Sequence, residues 1–299
     1  MAAELSVLVD DLVTESVALR GVLDQLGPAK WSLPTPATGW SVGDHVSHLA
    51  YFDEMTLQSL VDPDQFRRHA ELLTTGGDDF PDRIAAEHRL RSGTDLLAWF
   101  LDARAVLVNA YRGVDPVRRL PWYGPDMTPA SSITARLMET WVHGQDIVDA
   151  LGVERAPSNR LRHIAHLGIR AVPYSFSVNH LPPPTQPIAV HLTAPDGDMW
   201  SWGPTDAVDR VTGDAMDFCL VVTQRRHRDD TGLVVTGPIA QQWIALAQAF
   251  AGPAGPGRPP QLPSAPTARM GTGARWRDTC YDNPNDQRST RSDDDAGHP

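Results

Sequence analysis

The stretch TPASSITARLMETWVHGQDIVDALG, residues 128–152, decides the fold. Thr128 followed by Pro129 is an N-cap with proline at the first helical position, and Gly152 is a C-terminal stop. Between them the residues alternate as an amphipathic helix does, so the spacing predicts one long helix ending near Leu151. Within it Glu139 and His143 stand four residues apart, a little over one turn, and leave the same face. A carboxylate and an imidazole placed so form either a solvated pair or two ligands of a metal. The spacing leaves both open.

Three further long helices surround this one in sequence. Residues 4–26 repeat apolar positions at helical spacing until Gly27-Pro28 stops the run. SVGD at 41–44 reads as a capping box, with Asp in place of Glu, opening a helix through about residue 60. Residues 62–92 read as a long charged loop with short helices. Thr94 is the expected cap of DLLAWFLDARAVLVNAYRGV, and a fifth helix is expected over 158–178. Four long helices predict a bundle, and bundles build metal sites from facing helices.

The composition changes at LPPPTQP, 181–187. Beyond it PIAVHLTA and DMWSWG read as two strands turning at Pro195-Asp196-Gly197. DRVTG reads as a third strand, GDAMDFCLVVTQ as a helix, GLVVTG as a fourth strand and PIAQQWIALAQAF as a final helix. The expected organisation is an α+β protein: a helix bundle over 1–180, a small α+β domain over 181–252 and a disordered tail over 253–299. The tail is rich in Pro, Gly, Ser and charge, which cannot bury a core.

A net charge of -11 argues against nucleic-acid binding, which requires a basic surface. No apolar run approaches the roughly 18–20 residues of a membrane span. The N-terminus turns acidic where a signal peptide carries a basic flank, so a cytoplasmic location with no membrane partner is expected. Cys219 and Cys280, the two cysteines, form neither a disulfide framework nor a metal knuckle. Cys219 reads as a core residue and Cys280 as part of the tail.

The second helix carries DHVSHLA, residues 44–50. His45 or His48 meets Glu139 and His143 if the second and fourth long helices are neighbours. Two His and one Glu leave an open coordination position, as catalytic zinc sites do, although such ligands also suit nickel, iron or cobalt.

Trp40, Asp44 and His48-Leu49 match the W-x-x-x-D-x-x-x-H-L motif of DinB-like bundles. With Glu139-x-x-x-His143-x-x-Asp146-Ile147, the chain most closely resembles the mycothiol-dependent maleylpyruvate isomerase family of actinobacteria, in a branch apart from the isomerases themselves. The resemblance continues through VTGDAMDFCLVVTQRRH and LVVTGPIAQQWIALAQAF and departs at QRRH, 224–227, where isomerase-like relatives carry a Gly-Arg pair. It implies a DinB-like up-and-down bundle and His48, Glu139 and His143 as metal ligands, with His45 outside the triad. It also implies a divalent metal, expected to be zinc, and mycothiol as cosubstrate. Metal activation would make the thiol a thiolate nucleophile for S-transfer or cis–trans isomerisation of an electrophilic substrate. Asp146 is then either a group that orients a ligand or a helix-end contact.

Arg225 and Arg226 are the candidate cofactor-binding cations, with a helix-terminal role as the alternative. His163 and His166 form a second HxxH that either lines the cleft or lies on the surface. Trp200 and Trp202 are expected to pack. Two other functions fit the same residues: a metal-dependent hydrolase, and a lipid- or acyl-binding protein with Phe218, Val221, Val222 and Trp243 around the ligand. The expected assembly is a monomer or homodimer.

Overall fold

Ser41 opens the helix that organises the bundle. Its hydroxyl accepts the Asp44 backbone N–H, and the Asp44 carboxylate accepts the Ser41 N–H at 2.8 Å. This reciprocal box satisfies two backbone donors at a terminus that lacks intrahelical partners. In this computed structural model residues 2–261 are described; of the tail expected over 253–299, residues 262–299, with Cys280, lie outside the described residues.

The helical part runs α1 (Ala2–Leu23), α2 (Val42–Val61), α3 (Pro63–Thr75), α4 (Phe80–Glu87), α5 (Gly93–Arg112), α6 (Pro129–Leu151), α7 (Leu161–Arg170) and α8 (Val172–Val178). Helices α1 and α2 each pack on both α5 and α6, which closes a four-helix bundle. One buried guanidinium ties all four. Arg104 of α5 donates to Asp53 of α2 at 2.6 and 3.1 Å, to Thr140 of α6 at 3.0 Å, and to Ser16 of α1. Asp53 is fully buried, so this ion pair carries a large desolvation cost that its hydrogen bonds offset.

Three local expectations change. Residues 62–92 hold two defined helices rather than mostly loop: Asp62 caps α3 by accepting the Gln65 N–H, with Pro63 at its first position. Ser92, not Thr94, caps α5, because its hydroxyl accepts the Asp95 N–H at 3.1 Å. The expected fifth helix breaks at Ala171 into α7 and α8, since Pro173 lacks the N–H that a continuous helix needs there.

Beyond residue 187 come β1 (Ile188–Thr193), β2 (Met199–Trp202), β3 (Asp209–Asp214), α9 (Ala215–Val222), β4 (Val234–Thr236) and α10 (Pro238–Leu246). The sheet order is β2-β1-β3-β4, with β1 parallel to β3 and the outer pairs antiparallel. A continuous apolar cluster joins this part to the bundle, running from Leu137 and Trp141 of α6 through Ile164 of α7 to Phe218 and Trp243. Phe218, Val221, Val222 and Trp243 are therefore core residues, and Trp200 packs in the same cluster. Burial of this kind contributes about 1.5–3 kcal/mol for each large apolar side chain.

Ion pairs lock the same junction. Asp146 and Asp149 near the end of α6 accept from Arg225 and Arg226, which follow α9. Residues 253–261 also cross this surface, and Arg258 donates to both aspartates.

Candidate metal centre

Packing of α2 on α6 brings His48 opposite Glu139 and His143. His48 Nε2 lies 3.3 Å from Glu139 Oε2, and His143 Nε2 lies 3.2 Å from the same oxygen. One ligand atom from each residue falls within 4.8 Å of the other two. Zinc bonds of about 2.0–2.1 Å at the tetrahedral angle separate adjacent ligand atoms by roughly 3.3 Å, so the donor spacing suits a divalent ion.

Charge favours the ligating forms. Burial and the neighbouring His143 push His48 from 6.5 down to about 4, which leaves it neutral at pH 7. Burial alone would raise Glu139, but the hydrogen bonds from His143 and His48 and the Arg136 charge hold its carboxyl well below the usual range. A neutral imidazole and a carboxylate are the protonation states that a metal binds.

Behind His143 runs a chain of hydrogen bonds. Its Nδ1 is 2.7 Å from His45 Nδ1, His45 Nε2 is 2.8 Å from Thr35 Oγ1, and Thr35 Oγ1 donates to the Trp40 carbonyl at 3.2 Å. With the Thr35 hydroxyl proton on the Trp40 carbonyl, which also accepts the Thr35 N–H at 2.9 Å, His45 donates from Nε2. Burial and His143 keep His45 well below its ordinary value, and a neutral imidazole has one N–H. In that arrangement His45 Nδ1 accepts from His143 Nδ1, and His143 Nε2 is the nitrogen that faces Glu139. The 3.2 Å between Nε2 and Glu139 Oε2 suits either a proton on Nε2 or a metal ion held by both. The opposite side of the trio is less constrained: His48 Nδ1 is buried without a hydrogen-bond partner among the described residues.

Trp40 covers the site. Its ring stacks on His143 at 5.7 Å and 11° and tilts against His45 and His48, while its indole N–H donates to Asp82 at 2.6 Å. The trio lines a cavity of about 740 Å³ whose other walls include Phe52, Phe80, Trp122, Tyr123 and Arg136.

His45, His143 and Asp146 make a second close trio. Asp146 is already held by Arg225 at 2.7 Å and by Arg258. Of that trio His143 alone is part of the cavity wall. His45, rather than Asp146, orients His143; Asp146 serves the junction with the second half of the chain.

Arg225 lines the cavity, but its guanidinium is engaged by Asp146 and by the Thr223 carbonyl at 2.7 Å. Arg226 pairs with Asp149 and donates to the Arg225 carbonyl, away from the cavity wall. His163 pairs with Asp11 at 2.7 Å and His166 is exposed, so neither joins the site. The sequence reading overlooked Thr35 and Arg136, and placed His45 only as outside the triad. Arg136 alone left a signal, since it lies three residues before Glu139 and seven before His143 on one face of α6.

Comparison with known proteins agrees with this architecture. Residues 12–148 match the mycothiol maleylpyruvate isomerase N-terminal domain, and residues 184–236 match a family described as wyosine base formation. The uncharacterized proteins MT0041 and Rv0036c of two Mycobacterium tuberculosis strains are each 46% identical over 253 residues, covering 84% of this chain and 97% of theirs. The crystal structure of the mycothiol-dependent maleylpyruvate isomerase superposes with a TM-score of 0.53 at 13% identity, over 77% of this chain and 92% of that one. A mutant of that enzyme gives the same TM-score at 14% identity, over 78% and 96% of the two chains. At such identities the superposition establishes the fold, an α+β chain with a DinB-like bundle. With the matched N-terminal domain and the mycobacterial relatives, it follows that the chain belongs to the mycothiol maleylpyruvate isomerase-like family.

Proposed function

We propose that the protein is a divalent-metal enzyme, with zinc as the expected ion, that uses a low-molecular-weight thiol of the mycothiol kind on an electrophilic substrate, by S-transfer or cis–trans isomerisation. His48, Glu139 and His143 would hold the metal. The observation that carries this reading is that these three ligands of unlike chemistry converge on the wall of one aromatic-lined cavity. When bound, the metal supplies the charge that keeps a thiol ionised near neutral pH.

The chain's own residues supply the rest. Three protein ligands leave a coordination position for an exogenous group. His45 and Thr35 hold the His143 tautomer that presents Nε2 as a ligand. Trp40 and Phe52 flank the histidines and restrict water, which strengthens charge interactions at the site. Cys219, the free cysteine of the described residues, is buried beside the Leu161 carbonyl, and burial drives its thiol upward. The nucleophilic sulfur of this reading therefore comes from the cosubstrate. Arg225 is the favoured group for the polar part of that cosubstrate because it reaches the cavity, with Arg226 bracing its backbone.

The test is turnover of electrophiles by the zinc-loaded chain with and without mycothiol. Thiol-dependent consumption is expected. Turnover unchanged after removal of every small thiol, with hydrolytic products, would replace this reading with a metal-dependent hydrolase.

A further inference from the structure

Arg136 is a buried cation with an unmet need. It sits on α6 in line with Glu139 and His143, and only 4% of its surface is exposed. Among the described residues its guanidinium makes no hydrogen bond, and its Nη1 is sealed from solvent. The nearest carboxylates stand back: Asp53 Oδ1 is 3.8 Å from Nη1 and Glu139 Oε2 is 3.8 Å from Nη2. Both acids are occupied elsewhere, Asp53 by Arg104 and Glu139 by the two histidines. A guanidinium carries five N–H donors in a planar fork, and burying it without acceptors is costly.

Its surroundings define what would satisfy it. Arg136 lines the 740 Å³ cavity beside the metal ligands. The rings of Phe52 and Trp122 each lie 5.9 Å from its guanidinium carbon, and Tyr123 and Phe80 extend the aromatic wall. The cavity's other arginine, Arg225, already has its carboxylate in Asp146. An anion entering the cavity thus meets in Arg136 a guanidinium with no hydrogen-bond partner among the described residues, beside an aromatic wall.

We infer that Arg136 is the carboxylate-binding residue of this site, and that the cavity takes a flat monocarboxylate whose apolar body lies along Phe52, Trp122 and Tyr123. A carboxylate accepts two parallel N–H bonds from an arginine fork, and a flat apolar body packs on aromatic rings. The inference deepens the proposed function by naming the chemical class of the electrophile, and for its role in turnover it rests on that proposal. The binding site itself does not require the metal. Arg136 would fix the end of the substrate beside Glu139 and so choose which carbon faces the thiol.

The test uses benzoate and its neutral isostere benzamide as probes, titrated calorimetrically into the full chain with zinc and after zinc removal. Benzoate is expected to bind both forms at least tenfold more tightly than benzamide. Arg136→Gln should lose at least tenfold in benzoate affinity and little for benzamide, while Arg136→Lys should retain an intermediate preference. The lysine variant keeps the charge beside Asp53 and Glu139 and so guards against a glutamine variant that fails to fold. Equal binding of the two probes, no binding of benzoate, or benzoate affinity unchanged in Arg136→Gln would overturn the assignment. Benzoate binding that needs zinc and ignores Arg136 would also overturn it, while leaving the metal reading intact. Benzoate binding through Arg136 in a chain that takes up no zinc would uphold this site and reject the metal reading.

Discussion

The Nδ1 atoms of His45 and His143 lie 2.7 Å apart, and that contact decides which nitrogen His143 offers to the cavity. With Thr35 donating to the Trp40 carbonyl, His45 donates to Thr35 and accepts from His143 Nδ1, which leaves His143 Nε2 to face Glu139. His45 touches neither substrate nor metal in this account. It is a positioning residue.

Replacing His45 with Ala removes the hydrogen-bond partner of His143 Nδ1. Outer partners of ligating histidines typically contribute about 10–100-fold to metal affinity. A competition titration against a chelator should show zinc affinity of His45→Ala reduced within that range. Unchanged affinity would remove the relay from the account.

Arg104 predicts a purely structural effect. Arg104→Leu leaves the fully buried Asp53 without its bidentate partner. Breaking one side of a buried ion pair costs about 3–5 kcal/mol. Denaturant unfolding of the metal-free chain should show a loss of that size. A loss below about 1 kcal/mol would mean that Arg136, 3.8 Å from Asp53, takes over its charge.

The pH dependence of the metal-free chain follows from His48. Its folded value is about 4 against 6.5 when exposed, so between those values the unfolded chain binds the extra proton. Stability is then complete above pH 6.5 and falls as pH drops toward 4, by roughly 3 kcal/mol from this group on the linkage relation. His45, also lowered, adds in the same direction. Glu139, held low, adds its loss only as pH falls below the ordinary carboxylate range. Equilibrium unfolding at pH 7, 5.5 and 4 should show the decline, and His48→Ala should flatten it. An identical slope in that variant would contradict the assignment.

Much of the frame was legible because helix ends carry their own chemistry. Thr128-Pro129 and Gly152 bound α6, and the Ser41–Asp44 box opens α2, as the residues themselves predict. The elements beyond residue 187 were legible one by one, since turn residues such as Pro195-Asp196-Gly197 separate them. Helix α3 was not, because only Phe66 and Ala70 of its thirteen residues are buried, and so narrow a stripe reads as polar chain. Ser92 was missed as a cap because Thr94 offers the same chemistry two residues later.

The site divides in the same way. Glu139 and His143 announce themselves by spacing within one helix, and the family motif singles out His48. The His45 relay depends on Thr35 approaching from a separate loop, which periodicity does not encode. Arg136 shares the face of Glu139, yet an arginine at helical spacing reads as a solvated charge until tertiary packing buries it. Arg225 and Arg226 stood out as a basic cluster, whereas Asp146 and Asp149, which engage them, lie more than seventy residues away.

Metal content tests the His48, Glu139 and His143 centre itself. The purified full chain, loaded with zinc and freed of excess, should contain close to one zinc ion by elemental mass spectrometry, and His143→Ala should contain almost none while keeping its helical signal. Full zinc occupancy in His143→Ala, or none in the wild-type chain after reconstitution, would contradict the proposed centre.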